Sequence, residues 1–388
     1  MKVFNKITFL KALITEDKYL SCYKTISFKS KIIKIPNVVK EYSTDATLIR
    51  DIPDYLKTEK KPSFLSIHYK TISGHLINLK NFDNCDDYLA QQFSAKSRNN
   101  LKRRLKKLNK CFNIRVKTYY GSITQQEYDT YFIVLKELLS RRFSQKQEYN
   151  YEIQYLEEFH SLCFDLICKK KANMLVIFNG NDPISIRINM FLDNMAFYII
   201  SGYNIDYSKF NLGSIDMIKN IEWCINNKFE VYDLLKGYDY YKKKWSTTLY
   251  YNHTQLLIPK SKWWLYPAMV IINIKNRCKF STFRVIKRTN IYTSIKKIKK
   301  VKFALKHKEQ DIPQLSEKKK SNKGFDNFEV ILYKEKDYAF LKKHVHDFLF
   351  ETNENLSNIT LHHSLDNTNH YQIIGDKVRL FLIFNQKS

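Results

Sequence analysis

Short β-prone runs open the chain, at residues 31–35, 64–69 and 74–79, with Pro36, Pro53 and Pro62 punctuating the turns between them. The period then changes. A short helix is predicted over 83–92. Residues 95–110 carry Leu101, Leu105 and Leu108 at spacings of four and three, the stripe of a second helix whose other face is basic. After a strand over 112–119, Thr124 with Glu127 three residues on reads as a capping box that starts a long helix through Arg142. Another helix follows over 151–169.

Three strands then come in quick succession, over 173–178, 183–191 and 194–201. Asn179-Gly180-Asn181-Asp182 and Asp193-Asn194 join them, both good hairpin chemistry. A loop leads to a helix over 213–227, a strand over 229–235 and a last strand over 248–258. This order predicts an α/β (α+β) fold built on a mixed, mostly antiparallel sheet flanked by helices. The hairpins argue against a doubly wound sheet, which needs helices between all its strands. Beyond Pro259 the pattern loosens. Residues 261–308 read as helical or irregular and are strongly basic from Lys275, and 316–324 read as a Lys/Ser-rich linker. Residues 325–388 offer strand, helix, strand and strand, a small α/β appendage.

Composition narrows the class. A length of 388 residues suits two or three domains, and an aromatic content of 15% predicts a packed core. The formal charge of +28 points to an anionic partner: a nucleotide-bearing cofactor, a polyanionic glycan, an anionic membrane surface or nucleic acid. The plainer reading is a solvated lysine-rich surface. Seven scattered cysteines without a C-x-x-C pair read as reduced thiols in a cytoplasmic protein. Lys2, Lys6 and Lys11 interrupt any apolar run at the start, and the strongest run, 263–274, is too short to cross a bilayer.

Candidate chemistry gathers between Tyr198 and Trp245. A strand ending at Ser201 feeds, through a polar loop, a helix that opens at Asn211-Leu-Gly213-Ser214. Unpaired first-turn N–H groups and the helix dipole favour a phosphorylated ligand there, and a glycine permits close approach. Just past the next strand stands Gly237-Tyr-Asp239-Tyr-Tyr241-Lys242-Lys-Lys-Trp245. Lys242 offers a point charge, and Tyr241 can stack or donate. Asp233, Asp239, Tyr203 and Tyr241 are candidates for proton transfer at the strand ends. The bland alternatives are core aromatics, solvent-facing lysines and an ordinary helix start capped by Asn211. No Ser–His–Asp or Cys–His arrangement is legible, so no covalent intermediate is predicted. The pairs His344/His346 and His362/His363 lack acidic or cysteine partners at ligand spacing, so no metal is predicted.

Three segments carry a resemblance: Lys-Ser-Arg98-Asn-Asn-Leu-Lys-Arg103-Arg-Leu105, then Asn211 to Glu222, then Asp233-Leu-Leu-Lys-Gly237 followed by Tyr241-Lys242 and Trp245. In this order they resemble the acetyltransferase family of the GNAT superfamily found in exopolysaccharide and cellulose-synthesis proteins (CelD-type), distantly related to the FemABX transferases. The fuller phosphate loop of that superfamily, Q/R-x-x-G-x-G/A, is reduced here to Gly213. The resemblance implies a diverged GNAT-like half over 1–92 and an acyltransferase core over 93–260, followed by a basic segment over 261–324 and the appendage over 325–388. It implies acetyl-CoA or another acyl-CoA held at Asn211, Gly213, Ser214 and Ser201, with Lys242, Asp239 and Tyr241 catalytic. Arg98, Arg103, Trp245 and Gly237 would bind an amine acceptor, an amino sugar or related precursor of a surface polysaccharide. Two alternatives remain open. One is a FemABX-like transfer from aminoacyl-tRNA, which the charge suits. The other is a membrane-surface adaptor anchored through Trp263, Trp264 and the basic helix behind them.

Overall fold

In a computed structural model the structure describes residues 4–15, 20–33, 46–147, 153–237, 240–289, 313–320, 327–333 and 335–385, with a few positions between 294 and 303. The chain starts with β1 (Asn5–Thr8), α1 (Phe9–Ile14), β2 (Tyr23–Phe28), β3 (Lys31–Ile32), β4 (Thr47–Pro53), β5 (Leu56–Lys60) and the long β6 (Phe64–Asn78). Then come α2 (Cys85–Gln92), α3 (Ala95–Cys111), β7 (Ile114–Tyr119), α4 (Gln125–Lys146) and α5 (Leu156–Cys168). The meander β8 (Ala172–Asn179), β9 (Asp182–Leu192) and β10 (Met195–Tyr203) leads to α6 (Leu212–Asn226) and β11 (Val231–Lys236). A short α7 (Tyr240–Trp245), β12 (Thr248–Pro259) and α8 (Tyr266–Arg288) follow. The C-terminal module is β13 (Leu315–Lys320), β14 (Phe328–Ile331), α9 (Lys342–Thr352), β15 (Thr360–Ser364), β16 (His370–Ile374) and β17 (Arg379–Phe384).

One nine-stranded sheet, in the order β1-β4-β12-β6-β11-β10-β9-β8-β7, organises the molecule. Only β1/β4 and β10/β11 run parallel in it. The fold is therefore a mixed, mostly antiparallel α/β arrangement, with a small second sheet at the C-terminus. The expected boundary at 92/93 falls inside the large sheet, because β4 pairs with β12, and β6 pairs with β11 and β12, from the far side of it. Strand alternation separates the two faces. Met195, Phe197 and Val231 enter the core with α4 and α5, while Ala196, Tyr232 and Leu234 enter the core with α2 and α6.

Two readings of the sequence are corrected. The runs at 64–69 and 74–79 are one strand, not two. Ser73-Gly74 looks like a turn, but a Cβ on Gly74 would run into the Tyr250 ring of the neighbouring β12. The glycine marks a close approach rather than a break. The linker predicted over 316–324 begins as β13, which pairs with β17 at the edge of the C-terminal sheet. Its lysines fit an exposed edge, where charge discourages further strand addition. The five-stranded sheet β13-β17-β16-β15-β14 packs with α9 against the end of α3. Lys107 donates to the Phe350 carbonyl at 2.6 Å, and Asn355 to the Lys110 carbonyl at 2.9 Å.

Candidate active site

β10 and β11 are paired over only three positions, ending at Phe197 and Asp233. Beyond them β10 keeps only its pairing with β9, with a bulge at Tyr198–Ile200, and β11 keeps only its pairing with β6, with an irregularity between Asp233 and Lys236. The parallel pair thus parts at its carboxyl ends, the place where open sheets offer room to ligands. Side chains of α7 close over that parting. Lys242 Nζ lies 5.9 Å from the Tyr198 ring centroid and donates to the Lys236 carbonyl at 3.0 Å. Tyr241 Oη donates to the Gly213 carbonyl at 3.1 Å, linking α7 to the start of α6.

Asp233 forms the floor on the β11 side. It is fully buried and accepts from Tyr55 Oη at 2.7 Å, from Tyr250 Oη at 2.9 Å and from the Leu235 N–H at 2.7 Å. That last bond folds the strand end back, with Leu235 in the left-handed region at φ 63°. Burial pushes the Asp233 carboxyl up to about 6, against the opposing pull of its three donors and of the Lys242 charge. Gly237, at φ 145°, continues the turn with a conformation that L side chains rarely adopt, and donates its N–H to the Ser73 carbonyl at 3.2 Å.

The other wall is a polar ladder between β9 and α6 that the sequence reading missed. Arg187 and Asn189 alternate on β9, while Asp216 and Asn220 stand one turn apart on α6. Two strand residues advance about 6.6 Å and four helical residues about 6 Å, so the rungs stay in step. Arg187 Nε donates to Asp216 Oδ2 at 2.7 Å, and Asn189 Nδ2 donates to Asn220 Oδ1 at 2.8 Å. Arg187 also donates to Tyr232 Oη at 3.2 Å, and its guanidinium carbon lies 4.4 Å from the Tyr198 ring centroid. Burial pulls the Arg187 pKa down, but Asp216 and the nearby tyrosines outweigh it and hold the group charged. Burial likewise pushes the Tyr241 phenol up, so it stays protonated as a donor. Arg187 and Asn189 were visible as polar residues two apart in an apolar run, and Asp216 and Asn220 as polar residues four apart on a buried helix.

The predicted cofactor residues do converge, with different partners from those expected. Asn211 is left-handed at φ 61° and caps α6 through its carbonyl, which accepts from the Ser214 N–H at 2.9 Å. Ser214 Oγ donates to Asn211 Oδ1 at 3.0 Å, and Ser201 Oγ donates to Asp216 Oδ2 at 3.4 Å. Gly213 faces the Tyr203 ring, where a Cβ would come within 2.8 Å of Cε1. The glycine admits a tyrosine there, and the first turn of α6 is buried. Arg142 lies over that tyrosine, its guanidinium carbon 4.7 Å from the ring centroid, and donates to the Ser201 carbonyl at 3.3 Å. This helix start faces protein and does not fit a pyrophosphate on its first-turn amides.

Of the acceptor residues, Arg98 caps the end of α2, donating to the Ala90 and Phe93 carbonyls at 3.1 and 2.8 Å. Arg103 is exposed on α3 and touches Asn100 at 3.2 Å. Trp245 is wholly buried, 4.8 Å from the Phe93 ring centroid, and Tyr88 Oη donates to its carbonyl at 2.5 Å. It supports α7 from below and has no surface to offer an acceptor. Asp239 lies outside the described residues.

Residues 95–243 match the profile of the family described as Acetyltransferase (GNAT) domain, less than half of the chain. Among curated proteins no relative matches. Among solved structures, FemX is similar at 12% identity with a TM-score of 0.38, covering 53% of this chain and 71% of its own. L-PGS from Bacillus licheniformis is similar at 9% identity and TM-score 0.34, with 63% and 74% covered. A conserved protein of unknown function from Bacteroides thetaiotaomicron VPI-5482 is similar at 9% identity and TM-score 0.37, with 55% and 70% covered. The matched segment runs from α3 to α7 and includes both walls of the parting between β10 and β11. The chain carries an acetyltransferase domain of GNAT type and is an enzyme of the acyltransferase class.

Proposed function

We propose that the protein transfers an acyl group from acyl-CoA to the amine of an amino sugar or related precursor of a surface polysaccharide, as its CelD-type motifs suggest. The observation that carries this reading is the parting of β10 and β11 beneath Tyr241 and Lys242. In such a transfer the neutral amine attacks the thioester carbon, the C–N bond forms, the C–S bond breaks and the thiolate leaves. Lys242 would stabilise the oxyanion that develops on the carbonyl. Tyr241, kept protonated by burial, would orient that oxygen by swinging its O–H away from the Gly213 carbonyl. Asp239, next to α7 in sequence, is the candidate acceptor for the amine proton. Arg103 is the candidate contact for an anionic acceptor. The donor's pyrophosphate is assigned no seat, since the start of α6 is covered by Tyr203.

That same cover favours a second donor. An aminoacyl-tRNA needs no pyrophosphate seat, and the +28 charge suits a nucleic acid. The two are separated by titrating the protein with acetyl-CoA, CoA and charged tRNA. Stabilisation by acetyl-CoA, with acyl transfer to an amino sugar, supports the first reading. Charged-tRNA binding that survives near-physiological salt, with no response to CoA, replaces it by the second.

Among the described residues no helix is long and apolar enough to cross a membrane. We further propose a cytoplasmic enzyme that rests on an anionic membrane surface. Trp263 and Trp264, 68% and 59% exposed in the turn just before α8, support this placement. Flotation with anionic vesicles tests it, and loss of flotation in Trp263→Ala/Trp264→Ala is the expected result.

A further inference from the structure

α8 packs one side of itself on the large sheet, with Met269 buried and Phe280 stacked on Tyr69 at 6.1 Å between ring centroids. Beside that contact runs a groove of about 780 Å³ between α8 and the strands β6 and β12. Its polar lining includes His68 and Lys70 from β6, His253 from β12, and Asn273, Arg277 and Arg284 from α8. Asn273, Arg277 and Arg284 follow at spacings of four and seven, one stripe of the helix. No aspartate or glutamate lines the groove. Among the described residues Lys70, Arg277 and Arg284 form no ion pair, and Lys70 rests 3.1 Å from the Tyr251 ring centroid. The carboxylate that acts on His253 is Asp54, which accepts from the Tyr251 N–H at 3.0 Å.

Two polar atoms in this lining are shut away from solvent with no hydrogen-bond partner: Arg284 Nη1 and Asn273 Oδ1. A buried guanidinium N–H without an acceptor is costly, and three cations that share a partly shielded groove repel one another. An anion with several oxygens removes both penalties at once. Guanidinium groups match phosphate bidentately, and a lysine and two imidazoles suit the remaining oxygens. The volume lies within the range of ordinary small-ligand sites.

We propose that this groove is a binding site for a phosphoryl-bearing anion, held by Arg277, Arg284 and Lys70, with His68 and His253 beside it. The site uses no residue of the parting between β10 and β11, so the inference stands independently of the acyl-transfer reading. The anion is either a soluble phosphorylated molecule or the headgroup of an anionic phospholipid. Ile271 and Ile274, exposed on the same helix, would meet the acyl chains in the lipid case.

The test titrates the full chain with inorganic pyrophosphate by calorimetry, and separately floats it with vesicles of phosphatidylcholine alone or with added phosphatidylglycerol. Arg277→Gln/Arg284→Gln should weaken binding about tenfold or more for each guanidinium lost. Lys102→Gln/Lys106→Gln on α3 should leave it unchanged. Should the double arginine variant melt early, Lys70→Gln carries the test, because that side chain is exposed and rests only against the face of the Tyr251 ring. Pyrophosphate binding lost in the groove variants supports the site with a soluble source. Selective flotation with phosphatidylglycerol, lost in the same variants, supports it with a lipid source. Binding to neither probe, binding unaltered by the groove variants, or binding weakened equally by the α3 control overturns the proposal.

Discussion

Arg187 and Asp216 form an ion pair in which both side chains are almost wholly removed from water, 2% and 0% exposed. Each charge is solvated only by the other and by the ladder around it. The pair therefore specifies how α6 sits on β9 more than it adds stability, because desolvation offsets most of the attraction. Removing one partner is another matter. Asp216→Ala should cost about 3–5 kcal/mol, and Arg187→Met/Asp216→Leu should recover most of that loss. Urea unfolding of the single and double variants checks it; a single variant as stable as the parent would mean that the pair is not buried in solution.

Lys242 and Trp245 share α7 but should fail differently. Lys242→Met should fold normally and lower acyl transfer by about a hundredfold, the usual effect of losing one preorganised charge contact. Trp245→Ala should lose about 3–5 kcal/mol, because it empties a space enclosed by Phe93, Tyr88 and Tyr241. Turnover and thermal melting measured on both variants separate the two roles. An inert Lys242 would move the chemistry away from α7.

Asp233 sets a pH dependence. Its carboxyl is raised from 3.8 to about 6, so between these values the folded chain holds a proton that the unfolded chain has released. The contribution to stability is complete below the unfolded value and is lost as pH rises through the folded one, to about 3 kcal/mol. Asp233→Asn should remove this slope. Urea midpoints of both proteins across that range test it, and parallel curves would show that Asp233 does not titrate there.

Gly213→Ala should destabilise by about 1–3 kcal/mol, since the new methyl must displace the Tyr203 ring. Pairing it with Tyr203→Ala should restore part of the loss. If Gly213→Ala is neutral, Tyr203 leaves that position readily and the start of α6 is open to a donor after all.

Much of the core fold was legible because local signals agreed with the final structure. Thr124 and Glu127 do form a capping box on α4, and both hairpin turns join the strands that the alternation indicated. Gly74 misled because a glycine that yields space to a distant tyrosine looks the same in sequence as one that breaks a strand. The 316–320 segment misled because an edge strand dressed in lysines has the composition of a linker. Around the parting, Tyr241, Lys242 and Gly213 were singled out as candidates from the helix start and the motif past the next strand. Arg187 with Asp216 and Asp233 with Tyr55 and Tyr250 were not, because these partners are far apart in sequence and only the sheet order brings them together.

The position of β6 bears on how the protein is made. It lies between β11 and β12, and its Asn78 N–H donates to Thr247 across 169 positions of sequence. During synthesis this strand leaves the ribosome early and must wait for both neighbours. Loop closure over such distances comes late, so folding should be slow and exposed to chaperone capture. The segment 95–243, expressed by itself, would present β11 as a bare edge and should aggregate, although it contains the whole family match. The smallest autonomous catalytic unit must reach back to the N-terminal strands.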